Sequence, residues 1–368
     1  MDLNKIKIIK LWLVQGIGPV LFRKLLAQFG SIDEIFNADL FTLMRIDRMQ
    51  QKTADFIINK KEELERLLEQ ELRLIEKQKV KAFVLGDEEY PQLLREIFDP
   101  PPVLYVKGTL IKEDVNAIAI VGSRAASNYA LMTTKKLARD LACNGITIVS
   151  GLARGIDTEA HKGALESGRT IAVLGGGISV LYPPENAMLA EKISDKGAVI
   201  SEFPLSMMPD KKTFPMRNRV ISGLSLGTVV IEGSKRSGAL ITAKSALEQG
   251  RDVFAVPGLI TNPRTYAPHS LLRDGAGIVT CANDILDELG LNIKNRKYFC
   301  DIPLNKDKHM TDEEQRIYVL LEKDLEMQIN DIRDKAGRNI LDVMRILGSL
   351  ELKGLIKQCP GKFYCKIL

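Results

Sequence analysis

The sequence has few of the residues and segments that define several classes of protein. Its 368 residues include five cysteines and three histidines, and no cysteine pair has CxxC spacing. An odd number of widely spaced cysteines favours free thiols in a reducing compartment over a disulfide framework or a zinc site. No run of about 18 apolar residues occurs, so no membrane span is predicted, and the first residues lack the apolar core of a signal peptide. We therefore expect a cytoplasmic protein.

The common nucleotide-binding fingerprints are also missing. The motif GxxxxGK[ST] does not occur, which disfavours a P-loop ATPase. Gly175-Gly176-Gly177 follows a predicted strand, but Val180 occupies the position of the third glycine in a GxGxxG fingerprint. The sequence thus predicts no cofactor.

The charge of the chain is unevenly distributed. Lys and Arg number 52 and Asp and Glu 47, which gives a formal net charge of +5. Residues 120–280 hold 19 basic and 13 acidic residues, a local net charge of +6, whereas residues 1–119 have a net charge of −1. An excess of this size is informative only where it lies beside loops that bind phosphate.

Hydrophobic periodicity divides the chain into three parts and a linker. Residues 1–80 have apolar positions at helical spacing, which predicts a helical domain of the helix-hairpin-helix or SAM-like type. Gly16-Ile17-Gly18 resembles a helix-hairpin-helix turn. A possible second copy at 46–49 lacks the glycines, so a simple helix–helix turn is the favoured interpretation.

Residues 81–290 alternate short apolar runs with helical stretches. The runs are apolar throughout, which is typical of strands buried on both faces of a parallel sheet. The spacing predicts an α/β fold, an extended Rossmann-like, doubly wound and mostly parallel sheet. The clearest predicted strands are 118–121, 146–149, 171–174, 198–200, 228–231, 253–256 and 278–280.

Residues 311–368 are electrically neutral, with 10 basic and 10 acidic residues. Residues 291–310 are polar and lack periodicity, which predicts a linker, and 311–368 combine three short helices with a hairpin, the pattern of a winged helix. Its third helix carries Arg338 and Arg345 against Asp342. Because groove binding needs several phosphate contacts, a protein partner is at least as well supported here as DNA.

Polar and glycine-rich loops follow the first two parallel strands. Gly122-Ser123-Arg124 supplies free backbone N–H groups and a guanidinium for a phosphate, or it is a tight turn with a surface arginine. Ser150, Gly151 and Arg154 repeat this arrangement after the second strand. Asp157 and His161 share a helix face, where a structural role is favoured over a catalytic dyad.

The densest group of cations surrounds one phenylalanine. Basic groups that bind phosphates, next to an aromatic ring that stacks on a base, are the chemistry of single-strand binding. The alternative is that the phenylalanine belongs to the core and the cations are ordinary surface residues. The segment contains Lys211, Lys212, Phe214, Arg217, Asn218 and Arg219.

Together these segments closely resemble the DprA/Smf family of DNA-processing proteins. The resemblance implies a Rossmann domain that binds single-stranded DNA, forms a homodimer and loads the RecA recombinase on DNA taken up in natural transformation, without catalysis. By matching positions, Gly122–Arg124 and the segment from Lys211 to Arg219 are the DNA contacts. The matching segments are 119–124 (AIVGSR), 150–157 (SGLARGID) with 160–161 (AH), 182–186 (YPPEN), 201–204 (SEFP), 214–219 (FPMRNR), 221–225 (ISGLS), 237–243 (SGALITA) and 255–258 (AVPG).

Two other classes of function remain as alternatives. The run from Gly227 to Glu232 distantly resembles nucleoside-monophosphate phosphoribohydrolases of the lysine-decarboxylase-like group, although their PGGxGTxxE signature is absent. A protein-interaction adaptor with a merely structural central domain is the other. Residues 265–269 depart from the family pattern, as do Ala130 and Ser179.

Overall fold

The computed structural model describes residues 2–291, 310–321, 326–353 and 355–366. The chain divides into two compact units, 1–297 and 298–368. The predicted linker, 291–310, lies almost entirely outside the described residues. Among the helices that are described, none is both long and apolar enough to cross a membrane.

Helices form the N-terminal part of the first unit, as predicted. The longest is amphipathic and buries Leu64, Leu68 and Ile75. These side chains belong to the same apolar cluster as Tyr105 and Leu205, which lie in or beside the sheet, so the helices and the sheet share a core. The helices are α1 (Leu3–Trp12), α2 (Pro19–Phe29), α3 (Ile32–Asn37), α4 (Leu40–Met44), α5 (Gln51–Asn59) and α6 (Lys61–Lys77).

Two turns between these helices have matching backbone geometry. In the first, Gly16 has a φ of 94° and Gly18 is the N-cap of α2. In the second, Arg48 has a φ of 72° and Gln50 is the N-cap of α5. A non-glycine residue rarely takes a positive φ, so Arg48 occupies the conformation that Gly16 provides in the first turn.

The predicted sheet is present, and each predicted strand lies within one or two residues of an observed one. Among the described residues it has nine strands in the order β1-β2-β6-β5-β4-β3-β7-β8-β9. β1 and β2 pair antiparallel to their neighbours and the others pair parallel. The strands are β1 (Lys81–Val84), β2 (Val103–Gly108), β3 (Ala117–Val121), β4 (Thr147–Ser150), β5 (Thr170–Val173), β6 (Ala198–Ser201), β7 (Gly227–Val230), β8 (Asp252–Ala255) and β9 (Gly277–Ile278).

Helices cover both faces of the sheet. Ile118 and Ile148 belong to the apolar cluster on one face, with residues of the helices after β3 and β4. Ala119 and Val149 belong to the cluster on the other face, because successive strand residues point to opposite sides. The helices are α7 (Gln92–Arg95), α8 (Asn128–Cys143), α9 (Ile156–Ser167), α10 (Ala187–Lys196), α11 (Thr213–Gly223), α12 (Gly238–Glu248), α13 (Tyr266–Arg273) and α14 (Ala282–Glu288).

The strand order reverses between β3 and β7. From β3 the chain builds β4, β5 and β6 on one side of the sheet, then returns to build β7, β8 and β9 on the other. Open α/β sheets bind ligands at the carboxyl ends of the strands beside such a reversal. The loops after β3, β4, β5, β7 and β8 all begin at this edge, because these strands are parallel.

The second unit contains the three helices and the hairpin that the sequence predicts, together with one further short strand. Its three-stranded sheet has the order β10-β12-β11. Arg338 and Arg345 both form ion pairs with Glu313, at 2.8 and 3.2 Å, so one carboxylate is shared between the two guanidinium groups. The elements are α15 (Asp312–Leu320), β10 (Met327–Gln328), α16 (Ile329–Ala336), α17 (Ile340–Leu352), β11 (Ile356–Cys359) and β12 (Phe363–Lys366).

Candidate nucleic-acid interface

The loops after β3 and β4 are packed backbone against backbone. The N–H of Ile156 donates to the carbonyl of Ser123 at 3.2 Å. Gly155 has a φ of 74°, and a Cβ there would lie 2.3 Å from the same carbonyl oxygen. A Cβ on Gly122 would lie 2.6 Å from Ile156. Both glycines are therefore required for the close approach that fixes the position of Arg124.

A cation and two aromatic rings meet at this edge. Phe214, in the first turn of α11, packs on the backbone of Gly175, where a Cβ would lie 2.7 Å from its ring. The Arg124 guanidinium lies 5.0 Å from the Phe214 ring centroid, and the Tyr182 ring lies 6.0 Å away at an interplanar angle of 52°. Arg124 and Tyr182 are exposed and Phe214 is half-buried. The group offers solvent an aromatic surface and a phosphate-binding fork.

Two lysines precede this aromatic group. Lys211 and Lys212 are exposed, and within the described part of the chain neither ammonium group forms an ion pair. The turn that carries them is fixed, because Asp210 accepts hydrogen bonds from the N–H groups of Lys212 at 2.6 Å and Thr213 at 3.0 Å. The predicted cations Lys211 and Lys212 thus lie at the turn just before Phe214, and Arg124 lies over its ring.

Arg217 lies in the interior instead. Its side chain is 4% exposed, and one guanidinium nitrogen donates to the carbonyls of Gly151 and Val173 at 2.6 and 2.5 Å. Burial lowers the pKa of Arg217 to about 10, a shift that nearby Asp157 opposes. The predicted DNA contact by Arg217 does not fit this placement, and Arg217 instead ties the loops after β4 and β5 together.

Arg219 and Asn218 also face inward. Arg219 forms ion pairs with Asp99 at 3.3 Å and with the buried Glu202. The Asn218 amide donates to the carbonyl of Gly238 at 3.4 Å. Their predicted role as DNA contacts therefore does not fit either, because α11 turns these side chains toward neighbouring elements of the fold.

The predicted residues after β4 differ in accessibility. Ser150 is buried and its hydroxyl donates to the carbonyl of Ile120 at 2.6 Å. The N–H of Gly151 donates to Asp157 at 3.1 Å, so it is already satisfied. Arg154 is exposed and pairs with Glu185. Of these three predicted contacts, only Arg154 presents a charged group at the surface, beside the pocket that Tyr182 and Phe214 line.

Asp157 and His161 have structural roles. The Asp157 carboxylate accepts hydrogen bonds from the N–H groups of Gly151 and Ala153, which shape the loop after β4. His161 is fully buried and its Nδ1 lies 2.7 Å from the Thr170 hydroxyl. Burial lowers the pKa of His161 to about 3, which keeps the ring neutral. The structure supports the favoured interpretation over a catalytic dyad.

Glu202 connects α11 to the N-terminal helices. Its backbone carbonyl accepts from the Trp12 indole at 2.7 Å, and its carboxylate pairs with Arg219. Burial raises the pKa of Glu202 to about 7, although the Arg219 charge opposes the shift. The carboxyl group thus binds a proton more tightly in the folded than in the unfolded chain.

Replacement of Glu202 by glutamine should remove one component of the pH dependence of stability. Because the folded pKa is raised, the contribution of Glu202 is complete below about pH 4.5 and falls by about 3 kcal/mol as the pH rises through 7. The free energy of urea unfolding, wild type minus Glu202→Gln, should therefore decrease over this interval. The titration of His161 is common to both proteins and cancels. A constant difference from pH 4.5 to 7.5 would contradict the raised pKa.

Sequence reasoning missed Tyr182 as a site residue. It follows the glycine loop after β5 by several positions and reaches Phe214 only through the fold. The sequence shows only an aromatic residue before two prolines, a pattern that indicates a loop. The structure shows that this residue is 44% exposed. Its ring widens the surface on which a base can stack.

Known proteins resemble this chain in both sequence and structure. Residues 81–290 match the model of the family described as DNA recombination-mediator protein A. Protein Smf of Escherichia coli is 41% identical over 285 residues, which cover 75% of each chain. The X-ray structure of DNA processing protein A from Streptococcus pneumoniae is 36% identical with a TM-score of 0.67, and the match covers 78% of this chain and 99% of that one.

A second solved structure concerns single-stranded DNA directly. It describes the single-stranded DNA binding mode of DNA processing protein A from Helicobacter pylori. That chain is 27% identical with a TM-score of 0.52, and the match covers 59% of this chain and 98% of that one.

The N-terminal helices match a family of their own. Residues 9–60 match the SAM-like helix-hairpin-helix tandem. The preference for a simple helix–helix turn is therefore wrong, because Arg48 supplies the positive φ that was expected to need a glycine. Since the larger match spans more than half of the sequence, the chain belongs to the DNA recombination-mediator protein A family, that of the Smf and DprA proteins.

Proposed function

We propose that the protein binds single-stranded DNA, with weak sequence preference, at the carboxyl edge of its sheet. The observation that carries the proposal is the cluster of Arg124, Phe214 and Tyr182, preceded in the chain by the exposed Lys211 and Lys212. Every base has a face that can stack on an aromatic ring, whereas phosphates carry no sequence information. Backbone phosphates lie on the cations and a base lies against Phe214.

The direct test of this proposal is the replacement of Phe214 by alanine. Loss of one stacked base costs about 1–3 kcal/mol, so the Kd for oligo-dT should rise about 5- to 150-fold. Fluorescence anisotropy with a labelled oligonucleotide measures the change. Equal loss of affinity for a hairpin duplex would contradict stacking on an unpaired base.

Phe98 offers a matched control. It is 71% exposed, and the Arg23 guanidinium lies 4.8 Å from its ring centroid, so it is a second arginine–phenylalanine pair on the same unit. Phe98→Ala should leave the Kd within twofold. If both substitutions weaken binding alike, the Arg124–Phe214 stack is not the binding surface.

Delivery of the bound strand to the RecA recombinase is part of the proposal. What supports it is membership of a family described as a DNA recombination mediator. We also propose a homodimer that forms through the Rossmann domain, and no catalytic step. Release of adenine from AMP by the purified protein would instead support the phosphoribohydrolase alternative.

A further inference from the structure

A second pair of a cation and an aromatic residue lies farther along the same edge. Tyr266 is the first residue of α13, after β8, and is 43% exposed. The Lys235 ammonium, in the loop after β7, lies 6.0 Å from the Tyr266 ring centroid. The arrangement repeats that of Arg124 and Phe214: a cation from the loop of one strand lies against an aromatic ring from another.

The two loops that carry this pair are joined by their backbones. The N–H of Gly233 donates to the carbonyl of Arg264 at 2.6 Å, and the N–H of Ala267 donates to the carbonyl of Gly233 at 2.8 Å. A Cβ on Gly233 would lie 2.9 Å from the Ala267 side chain, so only glycine allows this contact. The positions of Lys235 and Tyr266 are thus set by main-chain hydrogen bonds.

The charge around Tyr266 is positive and uncompensated. Lys235, Arg236 and Arg264 are exposed, and across the described ranges none of them forms an ion pair. The nearest acidic group in these loops is Glu232, which is 3% exposed. Its carboxylate already accepts hydrogen bonds from Ser127 and Asn262. An exposed ring beside Lys235, on loops that also carry Arg236 and Arg264, suits a polyanion with aromatic groups.

Both aromatic residues lie at the carboxyl edge of one sheet. Phe214 packs over the loop after β5 and Tyr266 follows β8, four strands away in the sheet order. Strands lie about 4.8 Å apart, so the carboxyl ends of β5 and β8 are separated by about 19 Å along the edge. This is about six nucleotides at the ~3.4 Å spacing of a stacked strand, and fewer when the strand is extended.

We propose that Tyr266, with Lys235, Arg236 and Arg264, is a second base-stacking site for the same single strand. The strand then runs from Phe214 across the reversal between β3 and β7 to Tyr266. This inference rests on the proposed function and extends it, because it assigns to the bound segment a length and a path along the edge of the sheet. Phe214 and Tyr266 each stack a base, and the loops between them bind phosphates.

The length dependence of binding tests the inference. Affinities for oligo-dT of 4 to 12 nucleotides should rise with length in the wild type until both rings are reached. Tyr266→Ala should lose about 5- to 150-fold on the 12-mer and less than twofold on the 4-mer, which Phe214 still holds. Tyr266→Phe, which keeps the ring, should behave as wild type at every length.

A charge variant and a control for the overall proposal complete the test. Lys235→Ala with Arg236→Ala should lower the salt slope on the 12-mer by about 1.4, at ~0.7 for each phosphate contact. If the wild type binds oligo-dT but Tyr266→Ala matches it at every length, the second site is overturned while the proposed function stands. If the wild type binds no oligo-dT, the proposed function itself fails.

Discussion

Replacement of Arg124, Lys211 and Lys212 together by alanine should reduce the slope of log affinity against log salt, measured for single-stranded DNA, by about two. Each phosphate contact contributes ~0.7 to the slope of log affinity against log salt for single strands. Between 50 and 200 mM salt, the wild type should therefore lose about 20-fold more affinity than the triple variant. Titration of labelled oligo-dT at four or five salt concentrations gives the two slopes.

These three cations were selected by accessibility. Arg124 is exposed above the Phe214 ring, and Lys211 and Lys212 are exposed at the turn before α11. Arg217, which the sequence placed with them, is buried and already bound to two carbonyls. Its removal would change the slope only indirectly, through damage to the loops.

A control variant that removes the same amount of charge distinguishes local phosphate contacts from the long-range electrostatic attraction of the whole protein. Lys162, Lys192 and Lys244 are exposed on the helices after β4, β5 and β7. Their joint replacement by alanine also removes three positive charges. It should change the slope by much less than the site variant does, because long-range attraction is screened beyond ~7–14 Å at these salt concentrations. Equal slopes for the two triple variants would contradict the placement of the site.

The sheet could be predicted from sequence because its signal is local. A strand of a parallel sheet is buried on both faces, so it appears as an uninterrupted apolar run, as at Ala117–Val121. The loops that follow such strands all reach the carboxyl edge, which placed Arg124 correctly at the surface. The same local logic failed at Arg48, because backbone strain at one residue leaves no trace in composition.

The side chains of α11 that face the interior could not be predicted from the local sequence. Phe214, Arg217 and Ile221 recur at spacings of three and four, the period of one helix face. A charged residue in that row was assigned to the surface because charges are rarely buried. The structure buries Arg217 because two carbonyls and Asp157 compensate it. Those partners lie in β5, in the loop after β4 and in α9, and no local pattern contains them.

Replacement of Arg217 by methionine should destabilise the protein by about 3–5 kcal/mol, the typical cost of removing a buried charge that compensates another, here that of Asp157. The carbonyls of Gly151 and Val173 would lose their donor. Burial already raises the pKa of Asp157 and Arg217 lowers it, so the substitution should raise that pKa further. Urea denaturation at pH 7.5, followed by circular dichroism, measures the change in the free energy of unfolding.

Arg124→Met is the matched control, because the same substitution on an exposed arginine should change stability by no more than about 0.5 kcal/mol. It should instead weaken binding of oligo-dT. The two substitutions should thus affect different measurements. Arg217→Met changes the unfolding midpoint, whereas Arg124→Met changes the Kd. An Arg217→Met protein that unfolds like the wild type but fails to bind would show that Arg217 contacts DNA, as the sequence alone predicted, and would overturn its positioning role.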